Sequence, residues 1–431
     1  MPGTCRTEAP CTYLGSTGAQ RANTGYCRIV PTDQRRIAPA NQRSVRRHNL
    51  GVVLRHVAEH GARSRAAIAQ ETGLNKTTVS SLVGELIDFG LLRETEIEQR
   101  GTVGRPALPV ELSGGRVAGL GVEIGVDYLA VRADDLSGAE RHRALVDGDN
   151  RGRPVDAVLD DVVRLARDAL QELERAGVLT AGAVVALPGL VDSDGCLLVA
   201  PNLGWMREYV PDRLRERLGD LPFPISGENE ANLGALAELW QGAGRELRDF
   251  IYVSGEIGVG AGIVVGGELF RGARGFGGEL GHVTVDPAGD MCACGNRGCV
   301  ETKVALGALM RTAGLDPGAP VEELVRRAES GDERVLAALD EAGHWLGVGV
   351  ASAANVLNPR GVVVGGYFSP LARWLSPGVQ QELDARVLSS EYDGPRVLPS
   401  ALGGDAAVRG AAALALRRVY ADPGIVAELV R

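Results

Sequence analysis

Apolar residues recur at helical spacing in the front quarter of the chain. Leu50, Val53, Leu54 and Val57 fall at i, i+3, i+4 and i+7, in a segment that opens near Ser44 and stops at Gly61. A shorter helix follows, with Ser64 placed as its N-cap, Ala67, Ile68 and Ala69 in its body, and Thr72-Gly73 at its end. Asn75 is set to cap a third helix, whose buried stripe is Val79, Leu82, Val83 and Leu86. Its other face carries Lys76, Thr77, Thr78, Ser80 and Ser81. Two helices joined by a turn containing Gly73, the second with a small, polar and basic N-terminal half, predict a helix-turn-helix. Short side chains let such a helix enter a major groove, where Lys, Ser and Thr can meet base edges and phosphates. Beyond Gly90, two β-like runs flank a Gly/Arg/Pro turn. That reads as a wing, with Arg100 and Arg105 placed to touch the DNA backbone or enter a minor groove. The alternative is a three-helix protein-interaction module with a solvated polar face.

From Val117 the pattern changes. VAGLGVEIGVDYLAVRADDLSG predicts two short strands joined by a tight Gly-Val-Asp turn. Pro154 to Ala176 predicts an amphipathic helix, with proline near its start and Gly177 after its end. Thr180–Leu190 predicts a buried strand, and two further strand-then-glycine turns lie in IYVSGEIGVGAGIVVGG and GVVVGGYF. The final GGDAAVRGAAALALRRVY predicts a helix packed by small residues. Strand, helix and glycine-rich turn alternate throughout, so this body is α/β. Residues 1–43 show no hydrophobic period and predict a disordered tail; its Cys5, Cys11 and Cys27 are assigned no role. The expected division is therefore a tail (1–43), a winged helix-turn-helix (44–115) and an α/β body (116–431).

Charge separates the two folded parts. Through Gly115 there are 15 Lys+Arg against 10 Asp+Glu, and beyond it 31 against 45. A basic front on an acidic body points to an anionic partner for the front alone, which fits double-stranded DNA. No run of about 18 uninterrupted apolar residues occurs, so no membrane span is expected. Clustered cysteines without a secretory signal predict a cytoplasmic protein.

Chemistry concentrates in GGELGHVTVDPAGDMCACGNRGCVE, residues 277–301. Cys292, Cys294 and Cys299 lie close together, with His282 upstream and Glu279 and Glu301 bracketing them. Thiolates and an imidazole are ligands that Zn²⁺ favours, and four of them close a tetrahedral structural site. A disulfide is the alternative, but three cysteines cannot all pair, so one thiol would be left over.

These landmarks resemble the ROK family (repressors, open reading frames, kinases). The family pattern E-x-G-H followed by C-x-C-G-x-x-G-C-x-E is met by Glu279, Gly281, His282, Cys292, Cys294, Gly295, Gly298, Cys299 and Glu301. The resemblance runs from about Val117 to Tyr420, and the winged head makes it similar to the repressor branch. It implies a two-lobed, actin-like (ribonuclease H-like, sugar-kinase) domain. In the family His282, Cys292, Cys294 and Cys299 would hold zinc, within a loop spanning 279–301. Glu279, His282 and Glu301 would touch a sugar, with Gly189 of ALPGLVD, Asn202 of APNLGW, and Asn229-Glu230 of ENEAN completing the pocket. One ring nitrogen of His282 could meet the metal while the other offers N–H to a hydroxyl. The ENEAN stretch resembles the xylose-repressor type within the family.

The family's kinase pattern is met less well. The position of its aspartate general base is Glu230, whose extra methylene moves the carboxylate by about 1.5 Å. A misplacement of about 1 Å can cost on the order of a hundredfold in rate. The first phosphate turn, D-x-G-G-T in the family, reads Glu123-Ile124-Gly125-Val126-Asp127. The second, G-T-G-x-G-x-G, reads Ser254-Gly255-Glu256-Ile257-Gly258-Val259-Gly260. Asp127 and Glu256 put carboxylates where phosphates would lie, and like charges about 5 Å apart repel by roughly 3 kcal/mol at an effective dielectric near 20. The expectation is a non-enzymatic, sugar-responsive DNA-binding regulator that acts as a homodimer or higher homo-oligomer. An active sugar kinase with an appended DNA-binding head is the alternative.

Overall fold

The computed structural model describes residues 41–95 and 108–430. Arg100, Arg105, the three N-terminal cysteines and the first forty residues of the expected tail lie outside that range. The front unit runs α1 (Gln42–His60), β1 (Arg63–Ser64), α2 (Arg65–Thr72), α3 (Lys76–Asp88), β2 (Leu92–Glu94) and β3 (Pro109–Leu112). Helix α1 therefore starts two residues before Ser44. Both expected caps form: Ser64 Oγ accepts from Ala67 N–H, Asn75 Oδ1 from Thr78 N–H, and α2 ends on left-handed Gly73. Strands β2 and β3 pair as the base of the wing, and β1 adds to β3, a pairing not expected from the sequence.

The body begins with β4 (Val117–Ile124), β5 (Tyr128–Asp135), β6 (Glu140–Asp147), α4 (Val155–Arg175) and β7 (Leu179–Leu187). Three short strands follow, β8 (Leu190–Val191), β9 (Leu197–Ala200) and β10 (Trp205–Glu208), then α5 (Val210–Leu218), β11 (Ile225–Asn229) and α6 (Glu230–Gln241). The first lobe's sheet has the order β11-β7-β4-β5-β6, with β7 parallel to both β4 and β11. The second lobe opens with β12 (Phe250–Gly255), β13 (Val259–Val265) and β14 (Glu268–Leu269). After a long loop come α7 (Val300–Val304), α8 (Leu306–Thr312), α9 (Val321–Glu329), α10 (Glu333–Leu357) and β15 (Gly361–Gly366). Helix α11 (Phe368–Arg386), α12 (Ser390–Asp393) and β16 (Arg396–Pro399) complete it, giving the sheet order β14-β13-β12-β15-β16. Two five-stranded sheets with helices against them make the body α/β, as the strand–helix alternation implies, and two-lobed, as the ROK resemblance implies.

The chain then returns to the first lobe through α13 (Ala406–Ala421) and ends in α14 (Val426–Leu429). Helices α6 and α13 share one apolar cluster with the first sheet, through Val184, Ala186, Leu233, Leu236, Ala411 and Ala415. A second cluster joins the same pair to the second sheet through Ala235, Phe250, Tyr252, Val363 and Ala406. The small-residue sequence of α13 explains the closeness: a Cβ added at Gly410 would lie 2.0 Å from Leu233 O. Among the described residues the front unit has no core separate from the body's. Leu50, Leu54 and Val57 of α1 bury against Val117, Leu416, Val419 and Val426 in one cluster, each buried side chain contributing about 1.5–3 kcal/mol. Arg47 Nε donates to Asp422 Oδ1 at 2.8 Å and Arg55 Nη1 to Tyr420 O at 2.9 Å, which fixes α1 on the end of α13. Among the described residues no helix is long and apolar enough to cross a membrane.

Candidate functional site

Helix α3 turns Val79, Leu82, Val83 and Leu86 inward, and this leaves Lys76, Thr77, Ser80 and Ser81 exposed and Thr78 half-buried. Ser81 Oγ accepts from Arg46 Nη2 at 3.0 Å, and Arg46 Nε donates to Glu85 Oε2 at 2.8 Å. Arg46 therefore adds a positive charge beside the face, a neighbour that sequence spacing does not reveal.

In the cleft between the lobes, Gly189, Asn202, Asn229, Glu230, Glu279, His282 and Glu301 all line one cavity of about 110 Å³. The turns after β7 and β9, the start of α6, the loop after β14 and the start of α7 bring them together. The turn after β7 needs glycine at 189: its φ is 91°, and a Cβ would sit 2.3 Å from Val199 O. Asn229 ties that turn to α6. Its Nδ2 donates to Gly189 O at 2.9 Å, while its Oδ1 caps the helix by accepting from Asn232 N–H at 3.0 Å. Glu230 is consequently the first residue of α6. Glu301, near the start of α7, reaches back to the β12–β13 turn, where its Oε2 accepts from Val259 N–H at 3.1 Å.

The long loop folds His282, Cys292, Cys294 and Cys299 into a group whose ligand atoms all lie within 4.8 Å of one another. The three cysteines are free thiols. Cys294 Sγ is 3.7 Å from Cys299 Sγ, and Cys292 Sγ is 3.7 Å from His282 Nδ1. A tetrahedron with arms of about 2.3 Å has an edge of about 3.8 Å, so the donor set and its spacing fit a tetrahedral Cys₃His metal centre. Since Nδ1 faces the thiols, Nε2 is left toward the cavity, 4.0 Å from Glu279 Oε2.

A larger cleft of about 1130 Å³ adjoins this cavity. Glu123, Asp127 and Glu256 make one wall of it acidic, and Glu230 lies beside them in the smaller cavity. Burial, with repulsion from Glu123, pushes Glu230 up to about 8. Burial also carries Glu256 well above the usual carboxylate range, helped by Glu230, Glu123 and Asp127. In the first turn the Tyr128 ring occupies the space over Gly125: an added Cβ there would be 2.6 Å from Tyr128 Cε1. Tyr128 Oη donates to Glu123 Oε1 at 2.6 Å. At the second turn Glu256 Oε1 lies 3.0 Å from where a Cβ on Gly366 would be. Sequence reasoning placed Asp127 and Glu256 in these turns but missed Tyr128, whose only signal is its position directly after the turn. It also missed Glu228, which lies immediately before Asn229, and its partner Arg271.

A helix-turn-helix head on a two-lobed sugar-kinase-like body, with a Cys₃His loop in the cleft, defines the class. The chain belongs to the ROK family: the model of that family matches residues 119–418, and the IclR helix-turn-helix domain model matches residues 50–96. It is similar to the xylose repressor of Bacillus subtilis, 29% identical over 85% of this chain and 94% of that protein. A ROK family transcriptional regulator, a homologue of the E. coli Mlc protein, shares the fold at a TM-score of 0.73 and 24% identity, over 90% of this chain and 99% of that one. A ROK family glucokinase from Streptomyces griseus, solved with glucose and AMPPNP, matches at a TM-score of 0.62 and 27% identity. That match covers 99% of the kinase but 70% of this chain.

Proposed function

We propose that the protein is a sugar-responsive, DNA-binding repressor of carbohydrate-utilisation genes that works without phosphorylating its sugar. The observation that carries this reading is the contrast within the cleft. The cavity walls present Glu279, Glu301 and the Asn229–Glu230 helix start, whereas the turns at the family's phosphate positions carry the Asp127 and Glu256 side chains, with Tyr128 packed against Gly125. Carboxylates and amides accept from and donate to vicinal hydroxyls, and leaving them unpaired penalises a wrong ligand. His282 would meet Zn²⁺ through Nδ1 and a hydroxyl through Nε2, so the metal's part is to fix the ring; it supplies no chemistry. The polar face of α3, with Lys76, Thr77, Thr78, Ser80 and Ser81, would be the DNA-reading surface, and Arg100 and Arg105, outside the described residues, would extend it. The proposed division is a winged helix-turn-helix over 44–115 and a sugar-binding body over 116–431. Two such heads in a homodimer would read a palindromic operator in the cytoplasm, and sugar in the cleft would change their spacing through the lobe angle.

Incubating the zinc-loaded protein with a sugar panel and labelled ATP tests the non-enzymatic half. The expected result is no phosphoryl transfer above background; turnover at about 1–100 s⁻¹, as kinases show, contradicts it. Binding to DNA from the protein's own upstream region should weaken steeply with salt, and a flat salt response contradicts a phosphate-contacting head.

A further inference from the structure

We propose that the effector is an oligosaccharide, with its terminal sugar in the cavity beside His282 and its next unit in the larger cleft that opens from it. This rests on the sugar-sensing reading above and names the class of sugar. The two spaces are continuous: Asp127, Asn202, Glu256, Ile257, Ala293 and Glu301 line both. The inner cavity measures about 110 Å³ and the outer cleft, open to solvent, about 1130 Å³, so there is room for further sugar units beyond the first.

The walls of the outer cleft select against a nucleotide. The Tyr128 ring packs over Gly125 of the first phosphate turn, Glu256 of the second places its Oε1 beside Gly366 at the end of β15, and Asp127 faces the same space. A polyphosphate would meet the Asp127 carboxylate and the Glu256 and Tyr128 side chains where it needs backbone N–H groups. A purely cationic ligand is disfavoured too, because Arg151 and Arg311 stand in the same walls. What suits carboxylate acceptors, guanidinium donors and the apolar surfaces of Ile257, Leu306 and Tyr367 together is an uncharged, hydroxyl-rich chain with apolar ring faces. That is a glycan.

Gly404 provides a clean obstruction. It lines only the outer cleft, and an added Cβ there would meet no atom within 4 Å, so Gly404→Trp projects an indole into the cleft while leaving the inner cavity intact. Calorimetric titration of the zinc-loaded full chain would compare xylose and glucose with xylobiose, cellobiose and isomaltose. One disaccharide is expected to bind about tenfold more tightly than its monosaccharide, and Gly404→Trp should erase that gain while leaving the monosaccharide affinity within about twofold. Leu306→Trp, at another wall, should act the same way. Equal affinity for monosaccharide and disaccharide, or a disaccharide gain that survives both tryptophans, would overturn the proposal. So would AMPPNP binding that Gly404→Trp removes. If operator affinity answers to a monosaccharide alone, the oligosaccharide proposal fails and sugar sensing stands; if no sugar binds, both fall.

Discussion

Arg271 donates from Nε at 2.9 Å and from Nη2 at 2.6 Å to the same oxygen, Glu228 Oε2, and thereby joins the second lobe to the first beside the candidate sugar cavity. Glu228 is the penultimate residue of β11, next to Asn229, and its other oxygen accepts from Asn229 N–H and Asn232 Nδ2, both at 3.0 Å. Arg271 leads into the loop that contributes Gly277 and Gly278 to the cavity, and its carbonyl accepts from Gly277 N–H. The pair therefore sets the position of that loop relative to the start of α6. With Arg271 partly exposed, Arg271→Ala should weaken sugar binding only about fivefold, near 1 kcal/mol, without changing zinc content. Unchanged affinity by titration calorimetry would show that the lobes are set by other contacts.

Glu123 gives a pH dependence whose sign can be worked out. Burial, opposed by the hydrogen bond from Tyr128, pushes its carboxyl from 4.5 up to about 7. A carboxyl raised on folding contributes its full stability below its unfolded value near 4.5, and that contribution is lost as pH rises through about 7. Glu123→Gln keeps an acceptor for Tyr128 and cannot ionise. The variant should match the wild type near pH 5 and exceed it at pH 9, by on the order of 2–3 kcal/mol at most. Thermal melts at the two pH values check this, and a wild-type deficit that does not grow with pH would contradict it.

The metal loop makes a separate expectation. About one zinc per chain should be found by elemental analysis. Cys294→Ser removes one ligand and should abolish both the zinc and the sugar response while the body stays folded, since the two large apolar clusters of the lobes do not depend on that thiol. Full sugar response in metal-free protein would end the idea that zinc orients His282.

Packed helices connect the cavity to the DNA-binding head, and coupling between the two is expected to follow them. Glu230 starts α6, α6 packs on α13, and the end of α13 holds α1. At Gly51 of α1 an added Cβ would lie 2.9 Å from the carbonyl oxygens of both Tyr420 and Ala421. Gly51→Leu should therefore lift α1 off its seat at a cost of about 1–3 kcal/mol. Sugar affinity should remain near the wild-type value while the effect of sugar on operator affinity disappears. Retained coupling in parallel DNA and sugar titrations would place the connection elsewhere.

The parts legible in the sequence share a local signal. Ser64 and Asn75 announced their helices because a cap acts within three residues, and the cysteine cluster was readable because its three thiols lie within one loop. The Asp127 and Glu256 carboxylates were visible as departures from glycine and hydroxyl positions. What stayed hidden depends on distant pairings. Nothing local joins Arg271 to Glu228 or Arg47 to Asp422, and nothing in the Gly-Val-Asp turn says that Tyr128 will fold back over Gly125. Asn229 illustrates the boundary: its motif marked it for a sugar, and the fold also uses it to cap α6 and hold the Gly189 turn.

The most direct measurement is operator affinity of the zinc-loaded protein at fixed salt across a panel of mono- and oligosaccharides. One sugar class should shift the dissociation constant by about 5–150-fold, the range of ordinary coupling energies, and Glu279→Gln should abolish the shift without weakening DNA binding in the absence of sugar. An operator affinity that no sugar alters, alongside rapid ATP-dependent phosphorylation of one of them, would contradict the account.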